Sequence, residues 1–170
     1  MVYLTAAVVL VGLLGLANLL LLVGVVRRLR MLSAQLPEMV NGPEPGEKIP
    51  SFTALTSEGD PISAESLMGA PALIGFFSPG CAPCRQLLPE FVERAGRTSD
   101  PVMAVVVTGG DDDAAAEFER LAAVARVVRE EPHGPLQKSF RVSEFPTVIT
   151  TDATGTVIGS DVDLPETVHA

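Results

Sequence analysis

The chain has 170 residues, 47% of them hydrophobic, and a formal net charge of −9. The apolar excess sits at one end: 21 of the first 26 residues are hydrophobic, while the other 144 are 41% hydrophobic, ordinary for a soluble domain. All 21 acidic residues lie from Glu38 onward against 9 basic ones, so this stretch carries −12 and repels a polyanion; with no Trp and one Tyr for base stacking, nucleic acid is excluded as a partner.

From Val2 to Val26 there are 25 consecutive uncharged residues, interrupted only by Thr5, Gly12, Gly15, Asn18 and Gly24. A helix of this length rises roughly 37 Å, enough to cross a ~30 Å hydrocarbon core with some tilt. No Lys or Arg precedes the run, and Arg27, Arg28 and Arg30 follow it, the reverse of a cleaved signal peptide. Residues 1–30 therefore read as a single transmembrane anchor with a basic flank suited to lipid headgroups, which makes the bilayer a partner. Residues 31–47, with Pro37, Asn41, Gly42, Pro43, Pro45 and Gly46, read as a linker. Residues 48–170 fit one compact domain.

In that domain Ser51 to Thr56 is predicted as a strand and Ser57–Asp60 as a turn. Pro61–Ile62 follows as a short return strand, and Ser63 as the N-cap of a brief helix through Met68. Ala72 to Phe77 is an unbroken apolar run bounded by prolines, as expected of a strand buried on both faces. A helix from about Cys81 to Ala95 and a second apolar run, Val102 to Val107, complete a parallel crossover. Asp111 to Asp113 cap and charge a helix reaching about Val124; a solvated helix start is preferred there over a metal site. Arg126 to Val128 is a strand and Pro135 to Phe140 a short helix. Thr147–Thr151 and Thr156–Ser160 form a hairpin about Asp152–Gly155. The sum is an α/β domain with a mixed central sheet flanked by helices.

The only two cysteines stand as Cys81-Ala82-Pro83-Cys84, after a buried strand and in the first turn of a helix. Unpaired backbone N–H groups and partial positive charge at a helix start stabilise a thiolate, the reactive form. Cys81 is thus placed as the exposed nucleophile, and Cys84, one turn in, as the thiol that attacks the resulting mixed disulfide. A structural zinc site lacks recognisable further ligands, since only His133 and His169 remain as N/S donors. A purely structural disulfide across so short a loop gains little, about 2 kcal/mol.

With Gly46 to Phe52, Phe76 to Arg85, Pro89 five residues after the second cysteine, and Val142 to Ile149, the chain resembles membrane-anchored thioredoxin-like thiol-disulfide oxidoreductases of the TlpA, ResA and MauD type. The resemblance covers roughly Gly46 to Ser160 together with the anchor. It implies a thioredoxin-like fold, a cis-proline at Pro146 facing the cysteines, and pairing of the Phe145 backbone with an extended substrate segment. Pro89 resembles the family's helix-kinking proline, and Pro83, Pro89 and Ser78 are the supporting site residues. The redox group is the Cys81–Cys84 pair itself, with no other cofactor and no metal.

Three departures stand out. Relatives usually carry Trp immediately before the first cysteine, where this chain has Gly80. The two positions at which relatives place proton-moving carboxylates, six residues before and six after that cysteine, hold Gly75 and Leu87. Glu90 is the nearest acid along the helix, and a solvated helix face is its expected role. The chain also has only Asp161 to Ala170 after the hairpin, where such folds usually place a closing helix; Leu164 to Ala170 suffice for two turns at most.

The expected function is disulfide exchange with protein substrates, as a reductase fed by an upstream thiol electron donor. The alternative is a peroxiredoxin-like peroxidase: Ser78, three residues before Cys81, fits a peroxidatic pattern, whereas Ile74 stands where that pattern has Pro. A third reading is a non-catalytic binding module with a peptide cleft around Phe145, against which the intact cysteine pair argues. The three arginines after the anchor favour a cytoplasmic domain, and the resemblance favours an extracytoplasmic one, which is the orientation expected.

Overall fold

The computed structural model describes residues 41–109 and 115–161, together with positions 1, 4, 12, 14, 15, 18, 19 and 21. The described positions from Leu4 to Leu21 have helical backbone, and Leu4, Leu14, Leu19 and Leu21 are exposed. Most of the anchor expected over residues 2–26, the basic flank, Asp111 to Asp113 and the segment from Leu164 to Ala170 lie outside the described residues. Among the described residues no helix is long and apolar enough to cross a membrane.

The domain opens with a two-stranded antiparallel ribbon, β1 (Thr53–Leu55) and β2 (Pro61–Ser63), followed by a single 3₁₀ turn, Glu65–Leu67. Then come β3 (Ala72–Phe77), α1 (Ala82–Arg97), β4 (Val102–Val107), α2 (Ala115–Ala122), β5 (Arg126–Glu130), α3 (Pro135–Phe140), β6 (Thr147–Thr151) and β7 (Val157–Asp161). The five-stranded sheet has the order β5-β4-β3-β6-β7; β3, β4 and β5 run parallel, while β6 and β7 are antiparallel to their neighbours. The mixed sheet follows from the connections, because helical crossovers join the parallel strands and a tight turn joins the last two.

β3 and β4 lie at the centre and every residue of both is buried, which is why they read as unbroken apolar runs. One face of the sheet packs on Leu87, Leu88, Phe91 and Ala95 of α1 and Leu121 of α2. The other packs on Leu67, on Leu136 and Phe140 of α3, and on Ile49 and Ile62. The result is a three-layer domain in which the first turn of α1 is carried directly on the end of the central strand.

The structure departs from the sequence reading in several places. Ser63 does not cap a helix: the stretch makes one 3₁₀ turn with Ala64 at its cap and no side-chain cap, and Ser66 Oγ instead binds the backbone of Ser63. α1 runs two residues further than expected, with Arg94 and Arg97 in a last turn whose dipole favours cations. β5 extends to Glu130, and β7 starts at Val157 with a register shift opposite Thr150/Thr151, while Thr156 makes an isolated bridge to Lys48. Residues 41–47, read as the end of the linker, are tied to the domain. The Gly46 N–H donates to the Val157 carbonyl, the Val157 N–H to the Glu47 carbonyl, and Glu47 pairs with Arg141.

Candidate active site

β3 delivers the chain to Ser78-Pro79-Gly80, and Gly80 turns it with φ +77°. Side chains are disfavoured at that angle, which accounts for a glycine immediately before Cys81. Cys81 follows in extended conformation as the N-cap of α1, and Pro83 sits in the first turn, where its missing N–H costs nothing. With no donor at Pro83, the Cys84 N–H is the one that points back at Cys81 Sγ, 3.2 Å away.

Cys81 and Cys84 are joined by a disulfide with their Cα atoms 5.2 Å apart. Cys81 is half-buried, while Cys84 is only 4% exposed and lines a small apolar cavity together with Phe77, Ser78, Pro79, Leu88, Val106 and Leu121. Of the two sulfurs, Cys81 is therefore the one an incoming group meets. Ser78 and Pro79 form this wall; Pro89, by contrast, is exposed on the outer side of α1, which continues through it.

Across from the cysteines lies the turn before β6. The Phe145–Pro146 peptide is cis, Pro146 is buried, and the Phe145 carbonyl oxygen lies 3.4 Å from Cys81 Sγ. Once the pair is reduced, a Cys81 thiol can donate to that oxygen. Phe145 is half-buried and touches both core clusters, so the turn is anchored from beneath. The structure thus brings Cys81, Cys84, Phe145 and Pro146 together from positions more than 60 residues apart in the chain.

The departures noted in the sequence have physical counterparts. A Cβ on Gly75 would stand 2.5 Å from Phe77 Cε2 and 2.7 and 2.9 Å from Phe91 Cε2 and Cζ, so aromatic rings fill the space a carboxylate would need. Leu87 is buried in the apolar cluster that contains Cys84, and Glu90 is exposed. None of the three offers Cys84 a buried proton acceptor. The only buried acid among the described residues is Glu130, and its carboxylate accepts the N–H groups of Leu136 (2.5 Å) and Gln137 (2.9 Å) at the start of α3.

Sequence reasoning missed Glu130, which reads as one more charge on an acidic surface. It also missed Asn41, which lay in linker-like sequence and here bonds the turn that carries Phe145 and Pro146. A weak signal for the first exists: Gly134 leaves room for Glu130, whose Cγ would be 2.0 Å from a Cβ at that glycine.

Residues 45–160 match the AhpC/TSA family. The methylamine utilization protein MauD of Methylobacillus flagellatus is 31% identical over 107 residues, 59% of this chain and 51% of that protein. The chain thus spans about half the length of this curated relative. Among solved structures, the thioredoxin domain of a thiol-disulfide oxidoreductase from Bacteroides vulgatus superposes with a TM-score of 0.57 at 18% identity, covering 71% of this chain and 90% of that one. A thiol:disulfide interchange protein of the thioredoxin family from Chlorobium tepidum gives 0.53 at 24% identity, covering 71% and 87%. The fold is thioredoxin-like.

Proposed function

Because the chain belongs to the AhpC/TSA family, we propose that it is a membrane-tethered thiol-disulfide oxidoreductase that reduces disulfides in protein substrates. The observation that carries this reading is the half-exposed Cys81 sulfur at the start of α1, disulfide-bonded to a buried Cys84 and facing the Phe145 carbonyl.

The chemistry follows from that arrangement. In the reduced pair the α1 dipole and the Cys84 N–H favour the Cys81 thiolate. Attack on a substrate disulfide joins Cys81 to one substrate sulfur and expels the other as a thiolate, which takes a proton from solvent. The Cys84 thiol then loses its proton and attacks Cys81 Sγ, releasing the second substrate sulfur and closing the Cys81–Cys84 disulfide. An upstream dithiol reverses these exchanges and returns the two electrons. The pair supplies the redox chemistry, with no organic cofactor or metal in the cycle. With Gly75 and Leu87 in place of acids, the proton from Cys84 passes to water rather than to a buried carboxylate. Pro146 and the Phe145 backbone form the surface on which an extended substrate segment docks.

The tether is the apolar run from Val2 to Val26; the exposed leucines with helical backbone at Leu4, Leu14, Leu19 and Leu21 support it. The domain faces the extracytoplasmic side, where disulfide-bearing substrates are found. A membrane-impermeant thiol reagent, applied to intact cells after mild reduction, labels Cys81 in this orientation and leaves it unlabelled in the opposite one.

The function itself is tested by insulin-disulfide reduction with the full chain in detergent. Cys81→Ser abolishes turnover if the reading holds; full turnover by that variant overturns it. Peroxide consumption without a protein disulfide would instead identify a thiol peroxidase.

A further inference from the structure

The turn that presents Phe145 and Pro146 has no regular secondary structure of its own to hold it; it joins α3 to β6 through residues 141–146. Gln137 Nε2 donates to its Val142 carbonyl at 3.4 Å, and two of its backbone N–H groups are held by one side chain from more than 100 residues earlier. Asn41 Oδ1 accepts the N–H groups of Ser143 (2.9 Å) and Glu144 (3.0 Å), and Asn41 Nδ2 donates to Thr147 Oγ1 (2.6 Å). Thr147 is fully buried, and its hydroxyl donates in turn to the Glu144 carbonyl at 2.7 Å. Both flanks of the Phe145–Pro146 pair are therefore fastened to one amide.

That amide is itself fixed. The Asn41 carbonyl accepts from Ser160 Oγ (3.2 Å) in β7, and the next N–H, of Gly42, donates to the Arg141 carbonyl (3.1 Å). Gly42 has φ +97°, and a Cβ there would lie 2.4 Å from Ser160 Oγ, so the backbone comes this close only as glycine. Asn41 is thus clamped between β7 and the end of α3, and it transmits that placement to the turn whose carbonyl lies 3.4 Å from Cys81 Sγ.

We infer that Asn41 is a positioning residue for disulfide exchange: it holds the Phe145–Pro146 turn at the distance from Cys81 that an extended protein substrate requires. The inference rests on the function proposed above. A small aromatic disulfide reaches Cys81 without pairing along the Phe145 backbone, so the role is confined to protein substrates.

The test compares the full chain in detergent with Asn41→Ala, Asn41→Asp and Thr147→Val, measuring KM and kcat with insulin and with a small aromatic disulfide. Asn41→Ala is expected to raise KM for insulin roughly fivefold to twentyfold, the range that one or two lost hydrogen bonds produce. Its kinetics with the small disulfide stay within about twofold, since substrates that bypass the turn lose no binding energy there. Asn41→Asp keeps both backbone N–H acceptors and restores the insulin KM to within about threefold of the wild type. Should Asn41→Ala fail to fold, Thr147→Val, nearly the same shape, severs the other flank and is expected to raise the insulin KM selectively. An insulin KM unchanged in the folded variants, or an equal loss with both substrates, overturns the inference while leaving the proposed function standing. A wild-type chain inactive toward both disulfides removes that function, and the inference with it.

Discussion

Gly75 is the position at which the packing around the active site can be tested most sharply. In Gly75→Ala the added methyl carbon meets Phe77 and Phe91 at 2.5–2.9 Å, roughly 0.6–1 Å inside ordinary carbon contact. Neither ring has room to retreat: Phe91 is fully buried, Phe77 nearly so, and the two are in edge-to-face contact with centroids 5.0 Å apart. Overpacking of this kind costs about 1–3 kcal/mol. In urea that lowers the unfolding midpoint by roughly 1 M for a typical dependence on denaturant. Pulse proteolysis suits the measurement, since the chain has no Trp and a single Tyr to report unfolding by fluorescence. Adding Phe91→Leu to Gly75→Ala is expected to recover part of the loss, because the shorter side chain vacates the space the methyl group needs. A Gly75→Ala midpoint equal to or above that of the wild type would refute the claim that aromatic packing occupies the carboxylate site.

Two further outcomes follow from polar groups away from the cysteines. Glu130→Ala leaves the Leu136 and Gln137 N–H groups at the start of α3 without their buried acceptor and is expected to cost about 1–3 kcal/mol, read by the same proteolysis; a loss under about 0.5 kcal/mol contradicts the cap. Asp152, in the β6–β7 turn, accepts from the Thr156 N–H and from the hydroxyl and N–H of Thr154, and these bonds hold its carboxyl below the usual value. A carboxyl depressed on folding contributes stability that is complete above about pH 4 and is lost as pH falls through the folded value. Asp152→Asn should therefore flatten the acid limb of the stability profile below about pH 4; an identical slope in both proteins contradicts this assignment.

Much of the fold was legible because it is written in local pattern. β3 and β4 begin and end where the apolar runs Ala72–Phe77 and Val102–Val107 do, since central parallel strands are buried on both faces and need no polar alternation. The cysteines were legible as a site because they fall after a buried strand and at a helix start. Asn41 and Glu130 were not, for a shared reason. Their roles lie in hydrogen bonds to backbone N–H groups, across 102 and 103 residues for Asn41 and, for Glu130, across a turn that is tightly fitted against Gly134. Neither leaves a periodic trace. Gly80 was visible as a departure, but its reason, a left-handed turn before Cys81, is a backbone property that residue type alone does not assign.

The central claim, that Cys81 attacks and Cys84 resolves, is tested most directly by trapping. The full chain carrying Cys84→Ser, reduced and mixed with a disulfide-bearing protein, should accumulate a covalent adduct through Cys81 that mass spectrometry locates and dithiothreitol dissolves. The buried position of Cys84 and the half-exposure of Cys81 predict no such adduct for Cys81→Ser. An adduct formed through Cys84 instead, or none with either variant, would contradict the account.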